Sequence, residues 1–276
     1  MNDNLSYTTV EGIKCFSLEE AKTYTDYPDR GFDLTDESGE DSFWVRSRYR
    51  LLKNIVYNHV APMGKTRFLE IGCGTGGFIR QIVENKNLEI TGSEIYLKGL
   101  LYAKKHLPDI DFIQFDVTQG LIGEEFDIIA AFDVLEHIEN DITAISNMNR
   151  MLRRGGCLII TVPQYMFLWS RLDEMLKHKR RYSRRDLLTK LRTCGFDVDY
   201  YTSFVFVLFP LMLISRMLDR GGSQSQSDEK VLERKVKFPG ALNRIFDYIM
   251  RIDEALIKLG ISLPFGGTLV AVAGKR

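Results

Sequence analysis

From Arg67 onward, short apolar runs alternate with longer amphipathic stretches, and this alternation predicts the elements before any single residue is weighed. RFLEI (Arg67–Ile71), LEITGSE (Leu88–Glu94), DFIQFD (Asp111–Asp116), FDIIAAFD (Phe126–Asp133) and GCLIITVP (Gly156–Pro163) are nearly continuous apolar runs. Strands of that kind are buried on both faces and belong to a parallel sheet covered by helices. Between the fourth and fifth runs, Ile138, Ile142, Ile145, Met148 and Leu152 share one helical face, and Gly155 and Gly156 stop that helix. Phe196–Phe204 and Gly267–Lys275 predict a sixth and a seventh strand. The expected fold class is α/β, a doubly wound, Rossmann-like sheet of seven strands.

Two regions flank or interrupt this pattern. Ser42–Val60 places Trp44, Leu51, Leu52, Ile55, Val56 and Val60 on a rough helical period, with Arg46, Arg48, Arg50 and Lys53 opposite, and predicts a helix that covers the core as a lid. The first 42 residues are polar and mixed and predict no clear element. Between the last two strands lie an apolar run (Phe204–Ile214), a Gly/Ser/Gln linker (Gly221–Lys230) and an amphipathic helix (Ala241–Leu259). The expected organisation is an N-terminal extension with its lid helix over 1–60, a core over 61–203 and 265–276, and a helical insertion over 204–264.

Composition narrows the functional classes. Lys plus Arg and Asp plus Glu both number 37, so the net charge is zero and long-range attraction to nucleic acid is absent. Cys15, Cys73, Cys157 and Cys194 are far apart with no paired spacing, which fits a reducing cytosol. The N-terminus has no apolar core behind a basic start, so no secretory signal is expected. The run Phe204–Ile214 falls short of the roughly 20 residues a spanning helix needs, and a cytoplasmic location is expected. That run is nonetheless too apolar to stand in water, so a peripheral membrane contact is a further expectation.

The chemistry concentrates at the strand ends. After Phe68–Ile71 comes a turn in which Gly72, Gly74 and Gly76 let backbone approach a ligand closely. Gly72, Gly74 and Gly77 also satisfy GxGxxG, a weak dinucleotide fingerprint. Glu70 before the turn decides against a pyrophosphate, because a carboxylate there suits a cationic amine and repels phosphate. Glu94 ends the second strand, 22 residues after Gly72, where an acid accepts hydrogen bonds from ribose hydroxyls. Asp116 and Val117 follow the third strand as an acid beside an apolar contact, and the fourth ends in FDVLEH, Phe132–His137.

Taken in order, these residues resemble the class I S-adenosylmethionine-dependent methyltransferases over roughly Arg67–Phe204 plus the terminal strand. The resemblance implies that Glu70 and Gly72, Cys73, Gly74, Thr75 and Gly76 hold the methionine part of S-adenosylmethionine. It further implies that Glu94 and Ile95 meet the ribose, that Asp116 and Val117 meet the adenine, and that Asp133 borders the methyl-donor pocket. Downstream, LRRGGCLIITVPQ and LWSRLDEMLKHKRRYSRRDLLTKLRTCGF look like a bacterial and archaeal subgroup that accompanies cell-surface saccharide and lipid biosynthesis. That likeness implies O-methylation of an anionic or lipid-linked small molecule such as a saccharide or glycolipid intermediate.

Methyl transfer from a sulfonium needs alignment and exclusion of water, plus a base if the acceptor is a hydroxyl. His137, beside the donor loop, and His178, in the basic run Lys177–Arg185, are the expected bases. Asp133, Glu136, His137 and His178 also carry donor atoms suited to a metal, but DVLEH is common in metal-free relatives and no metal is expected. Trp169, Arg180, Arg181 and Tyr182 are expected to hold the acceptor, the arginines by forked pairing with an anion and the aromatics by stacking. No nucleic-acid partner is expected, and no residue pattern speaks to oligomeric state. Three alternatives stay open: a quinone- or catechol-type methyltransferase, an NAD(P)-dependent reductase, and an inactive cofactor-binding regulatory protein.

Overall fold

The computed structural model describes residues 5–24, 31–38, 42–61, 64–123, 125–220 and 239–276. The linker predicted at Gly221–Lys230 lies outside the described residues. In chain order the elements are β1 (Thr8–Val10), β2 (Ile13–Cys15), α1 (Leu18–Ala21), α2 (Gly31–Ser38), α3 (Phe43–Tyr57), β3 (Thr66–Ile71), α4 (Ile79–Ile82) and β4 (Leu88–Glu94). There follow α5 (Leu97–His106), β5 (Asp111–Gln114), β6 (Phe126–Phe132), α6 (Asp141–Met151), β7 (Leu152–Pro163), α7 (Arg171–Met175), α8 (Arg184–Thr193) and β8 (Phe196–Phe204). The chain continues through α9 (Phe209–Arg220) and α10 (Gly240–Lys258) to β9 (Thr268–Lys275).

The apolar runs pair as their two-sided burial requires. Strand β3 pairs in parallel with β4 on one side and β6 on the other, β5 extends the sheet beyond β4, and β7 extends it beyond β6. β9 inserts antiparallel between β7 and β8, giving the order β1-β2-β5-β4-β3-β6-β7-β9-β8. Alternate residues of each strand feed two cores. Phe68 and Ile90 face Leu52, Val56, Ile79 and Met250 of α3, α4 and α10, whereas Leu69 and Ile129 face Ile145, Met148 and Leu187 of α6 and α8.

Among the described residues the sheet has nine strands, the seven expected from the sequence and two more. The two additions are the hairpin β1–β2, which pairs in parallel with β5 at Lys14–Ile113 and Cys15–Gln114. Each is three residues long, too short for a periodic signal to emerge from polar surroundings. The buried side chain of Gln114 fastens the segment after β2, accepting from the Ser17 N–H and donating to the Ser17 carbonyl, each at 2.9 Å.

The apolar run Phe204–Ile214 is divided between a strand end and a helix. Phe204 closes β8 and lies against Trp44, Val205 takes φ +68°, and the helix begins only at Phe209. α10 packs along α3, with Phe43 and Phe246 ring centroids 5.2 Å apart and Arg50 bridging Asp247 and Glu254 at 3.0 and 2.7 Å. The basic face of the lid helix is thus spent mostly inside the protein. Among the described residues no helix is long and apolar enough to cross a membrane.

Candidate functional site

The C-terminal ends of the parallel strands open into one cavity of about 1930 Å³. Its floor is the turn after β3. Gly72, Gly74 and Gly76 have φ of +72°, +55° and +77°, conformations that a side chain strains. A Cβ at Gly72 would also lie 2.5 Å from Val134 Cγ2, so glycine is required there for space as well as for φ. The Cys73 N–H donates to the Ser93 carbonyl at 2.9 Å and fixes the turn against β4. Cys73 and Thr75 are buried beneath it.

Glu94 has a second function that its spacing does not reveal. Its carboxylate accepts from the N–H groups of Gly74 at 3.1 Å, Ile95 at 2.8 Å and Tyr96 at 3.2 Å, so it shapes the turn as well as facing the cavity. Burial pushes its carboxyl up, against those backbone hydrogen bonds. Glu70 is 4% exposed, and its Oε2 has no hydrogen-bond partner. Burial pushes the Glu70 carboxyl up to about 8, opposed by the charge of Arg48 and reinforced by that of Glu94. A buried acid facing a cavity with an oxygen unused is matched by a cationic ammonium.

Asp116 sits at the opposite end of the floor. Its Oδ1 accepts from the Thr118 N–H and hydroxyl, each at 2.8 Å, while Oδ2 accepts from the Tyr24 hydroxyl at 2.7 Å. The Asp116 N–H donates to Ser17 Oγ at 3.3 Å, so the N-terminal segment helps to build this end of the site. Val117 is buried beside it, with its carbonyl accepting from Asn147 at 2.8 Å.

At the centre, Asp133 adopts φ +55°, and its Oδ1 accepts from Thr161 Oγ1 at 2.8 Å. Arg48, reaching down from α3, meets Asp133 Oδ2 at 3.0 Å and Thr161 Oγ1 at 3.2 Å. This clamp ties the lid helix to the end of β6, yet sequence reasoning placed Arg48 only on a polar helix face. No residue spacing within α3 could have singled it out, because its partners lie 85 and 113 positions away.

His137 and His178 come together on the cavity wall, their rings edge to face with centroids 4.8 Å apart. His178 Nδ1 lies 3.0 Å from Asp173 Oδ1. Although burial opposes ionisation, hydrogen bonds from His178 and Arg181 hold the Asp173 carboxyl well below the usual range. Beside the pair, Glu136 is fully buried, and burial with the charge of Asp133 pushes its carboxyl well above the usual range.

The predicted acceptor grip requires correction. Arg181 gives its guanidinium to Asp173 at 2.7 and 3.1 Å and to the Gln164 carbonyl at 3.2 Å. Arg180 turns to the Glu139 carbonyl at 2.9 Å and to Asp141 at 3.3 Å. Tyr182 is fully buried, its hydroxyl 2.7 Å from Asp141 Oδ2. Internal carboxylates draw this basic run inward, so the three side chains are held by partners within the protein, although Arg181 also lines the cavity. Trp169 does line the cavity, with its indole N–H donating to Glu174 at 3.4 Å. α9 and the segment before it add Leu208, Leu211, Met212 and Ile214 to the wall together with the polar Ser215 and Arg216, and α10 adds Phe246.

Comparison with known proteins adds to this geometry. Residues 69–160, a third of the chain, match the family model of a methyltransferase domain. A Mycolicibacterium smegmatis protein described as a probable S-adenosylmethionine-dependent methyltransferase is 24% identical over 164 residues, covering 58% of this chain and 62% of that protein. The ubiquinone biosynthesis O-methyltransferase of Glaesserella parasuis is 29% identical over 126 residues, covering 40% of this chain and 53% of its own. The chain therefore spans less than two thirds of the length of either relative. Phosphoethanolamine N-methyltransferase 2 of Haemonchus contortus, solved with S-adenosyl-L-methionine, superposes with a TM-score of 0.55 at 18% identity, over 94% of this chain and 60% of that one. The fold is thus the Rossmann-like methyltransferase fold, and its residues 69–160 are similar to a methyltransferase domain.

Proposed function

We propose that the protein transfers a methyl group from S-adenosylmethionine to an oxygen of a small molecule that has an apolar part. One observation carries the reading: a single cavity joins a glycine turn flanked by the buried, incompletely partnered Glu70 to the apolar side chains Leu211, Met212 and Ile214 of α9. The donor fits the first end, since Glu70 complements its ammonium, the floor at Gly72 has no room for a side chain, and Glu94 and Asp116 stand in order beyond it. When bound, the donor supplies an already activated methyl on a sulfonium.

The chain's own residues supply alignment and proton removal. Arg48 clamps α3 over the centre of the cavity, and Leu208 and Met212 give the acceptor end an apolar surface. In the transfer, the sulfur–carbon bond breaks with its electron pair staying on sulfur, and the new oxygen–carbon bond forms from an oxygen pair. The hydroxyl proton must leave, and the cluster of His137, His178 and Glu136 is the group proposed to promote that loss.

The lipid-linked class of acceptor has support from the surface beside the mouth. Leu211 and Ile214 line the cavity and are also 49% and 54% exposed, continuing outward from the wall. Phe206 and Phe209, in contrast, pack on Phe265 with centroids 4.7 and 5.2 Å away, so the membrane contact proposed here would use Leu211 and Ile214. The test is transfer of label from methyl-labelled donor into cell lipid and saccharide extracts, with S-adenosylhomocysteine measured as the co-product. A labelled, lipid-extractable product that is lost with Leu211→Ser/Ile214→Ser is expected. Calorimetry showing NADH binding and no S-adenosylhomocysteine binding would overturn the reading.

A further inference from the structure

Between the donor cradle and the α9 wall lies a group of side chains that alignment alone does not require. Glu136 is fully buried, and neither of its carboxylate oxygens has a hydrogen-bond partner. One donor atom from each of Glu136, His137 and His178 lies within 4.8 Å of the other two, and all three residues line the cavity. The neighbouring charges are already matched, Arg48 against Asp133 at 3.0 Å and Arg181 against Asp173 at 2.7 Å. Glu136 is left as the carboxyl of this group whose oxygens no hydrogen-bond donor satisfies.

His178 is also oriented in advance. Asp173 Oδ1 lies 3.0 Å from its Nδ1, and Asp173 is itself fixed by Arg181 and by the Ser170 N–H at 2.9 Å. A carboxylate behind an imidazole sets the tautomer and leaves Nε2 as the outward donor, the arrangement that stands behind metal-bound histidines. Asp133, which the sequence groups with Glu136 and His137, does not belong to this set, because Arg48 and Thr161 hold its two oxygens.

We infer that Glu136, His137 and His178 bind one divalent cation of borderline softness, for which zinc is the natural probe. Two imidazoles and one carboxylate are the donors such a cation selects, and three protein donors leave at least one coordination position for a further oxygen. If the three atoms stood at the full 4.8 Å from one another, their centre would be about 2.8 Å from each, against zinc bonds of about 2.0–2.2 Å. Each donor then moves inward by less than about 1 Å, within the reach of side-chain rotation. The open position faces the cavity, so the ligand class is an acceptor that offers an oxygen donor.

This inference rests on the methyl-transfer reading and gives its proton-removal cluster a mechanism. The cation acidifies the acceptor hydroxyl, its O–H bond breaks, and the proton passes to water while the oxygen keeps the pair that forms the new bond to carbon. The two histidines then act as ligands and not as bases.

The test uses the full chain, stripped with chelator and dialysed. Calorimetric titration with Zn²⁺ should give one ion per chain, and Co²⁺ should give the visible absorption of a low-symmetry histidine-ligated ion. Glu136→Gln and His178→Gln should each weaken Zn²⁺ binding by about 100-fold or more, at the upper end of what losing an outer partner costs or beyond it. S-adenosylhomocysteine binding, measured on the same samples, should stay within about threefold. Should a variant lose that binding, the parent's Co²⁺ spectrum and histidine ring-proton shifts decide in its place. No saturable one-to-one Zn²⁺ binding by the parent, or equal binding by parent and both folded variants, overturns the inference. S-adenosylhomocysteine binding without zinc refutes the metal site and spares the donor reading, while zinc binding without S-adenosylhomocysteine does the reverse.

Discussion

Glu70→Gln isolates the interaction between the donor's ammonium and the floor of the cavity. With its carboxyl pushed up to about 8, Glu70 is about nine-tenths protonated at pH 7 in the donor-free protein. Ionising it there costs about 1.4 kcal/mol, one pKa unit, which the incoming ammonium must repay. A free α-amino group, with an ordinary pKa near 7.8, is about 0.86 protonated at the same pH. Forming the ion pair therefore discharges about 0.9 proton from Glu70 and takes up about 0.1 on the amine, a net release of about 0.8. Calorimetry of S-adenosylhomocysteine binding at pH 7, repeated in buffers of different ionisation enthalpy, reads that number as a slope. Glu70→Gln should abolish the release and leave a small uptake of about 0.1. The parent's affinity should peak near pH 8, where both partners can carry their charges. Because the folded-state pKa lies above the ordinary carboxylate value of 4.5, the group's contribution to donor-free stability is fully present below that value and is lost as pH rises through about 8. The variant should lack this decline. Proton release at pH 7 that is the same in parent and variant would refute the assignment of Glu70 to the ammonium.

Two further outcomes test the geometry. Gly72→Ala places a methyl 2.5 Å from Val134 Cγ2 at φ +72°, and should cost about 1–3 kcal/mol in urea denaturation and at least about tenfold in S-adenosylhomocysteine affinity; unchanged affinity would show that the turn tolerates a side chain. Arg181→Met leaves Asp173 without its buried cationic partner and should cost about 3–5 kcal/mol of stability, whereas an acceptor-binding arginine would change the acceptor KM and leave stability intact.

The contrast between Arg181 and Glu94 shows what local pattern can carry. Glu94 is legible because a strand, a glycine turn and a second strand fix the spacing between the turn and the acid, and that spacing is local to one βαβ unit. The five core strands were legible for the same reason, their two-sided burial leaving continuous apolar runs. The orientation of KHKRRYSRR is decided by Asp141, Asp173 and Glu139, whose approach depends on how α6 and α7 pack, and charge density alone reads as a surface. Arg48 and the β1–β2 hairpin were hidden likewise. One is an ordinary polar residue of an amphipathic helix, and the other is two three-residue strands that pair with each other and join the sheet only through β2 and β5, about a hundred positions along the chain.

The placement of β9 between β7 and β8 also sets an order in time. β8 is complete at Phe204, but the strand that joins it to the sheet begins only at Thr268, after α9 and α10. On the ribosome, the donor half of the sheet can assemble from β3 to β7 while β8 waits with both edges bare. The two helices that add apolar side chains to the wall, α9 and α10, emerge during that wait. The acceptor end of the cavity is therefore completed last, and a chain stalled before Thr268 would carry the donor cradle with two open strand edges, a form that quality-control factors would recognise and aggregation would consume.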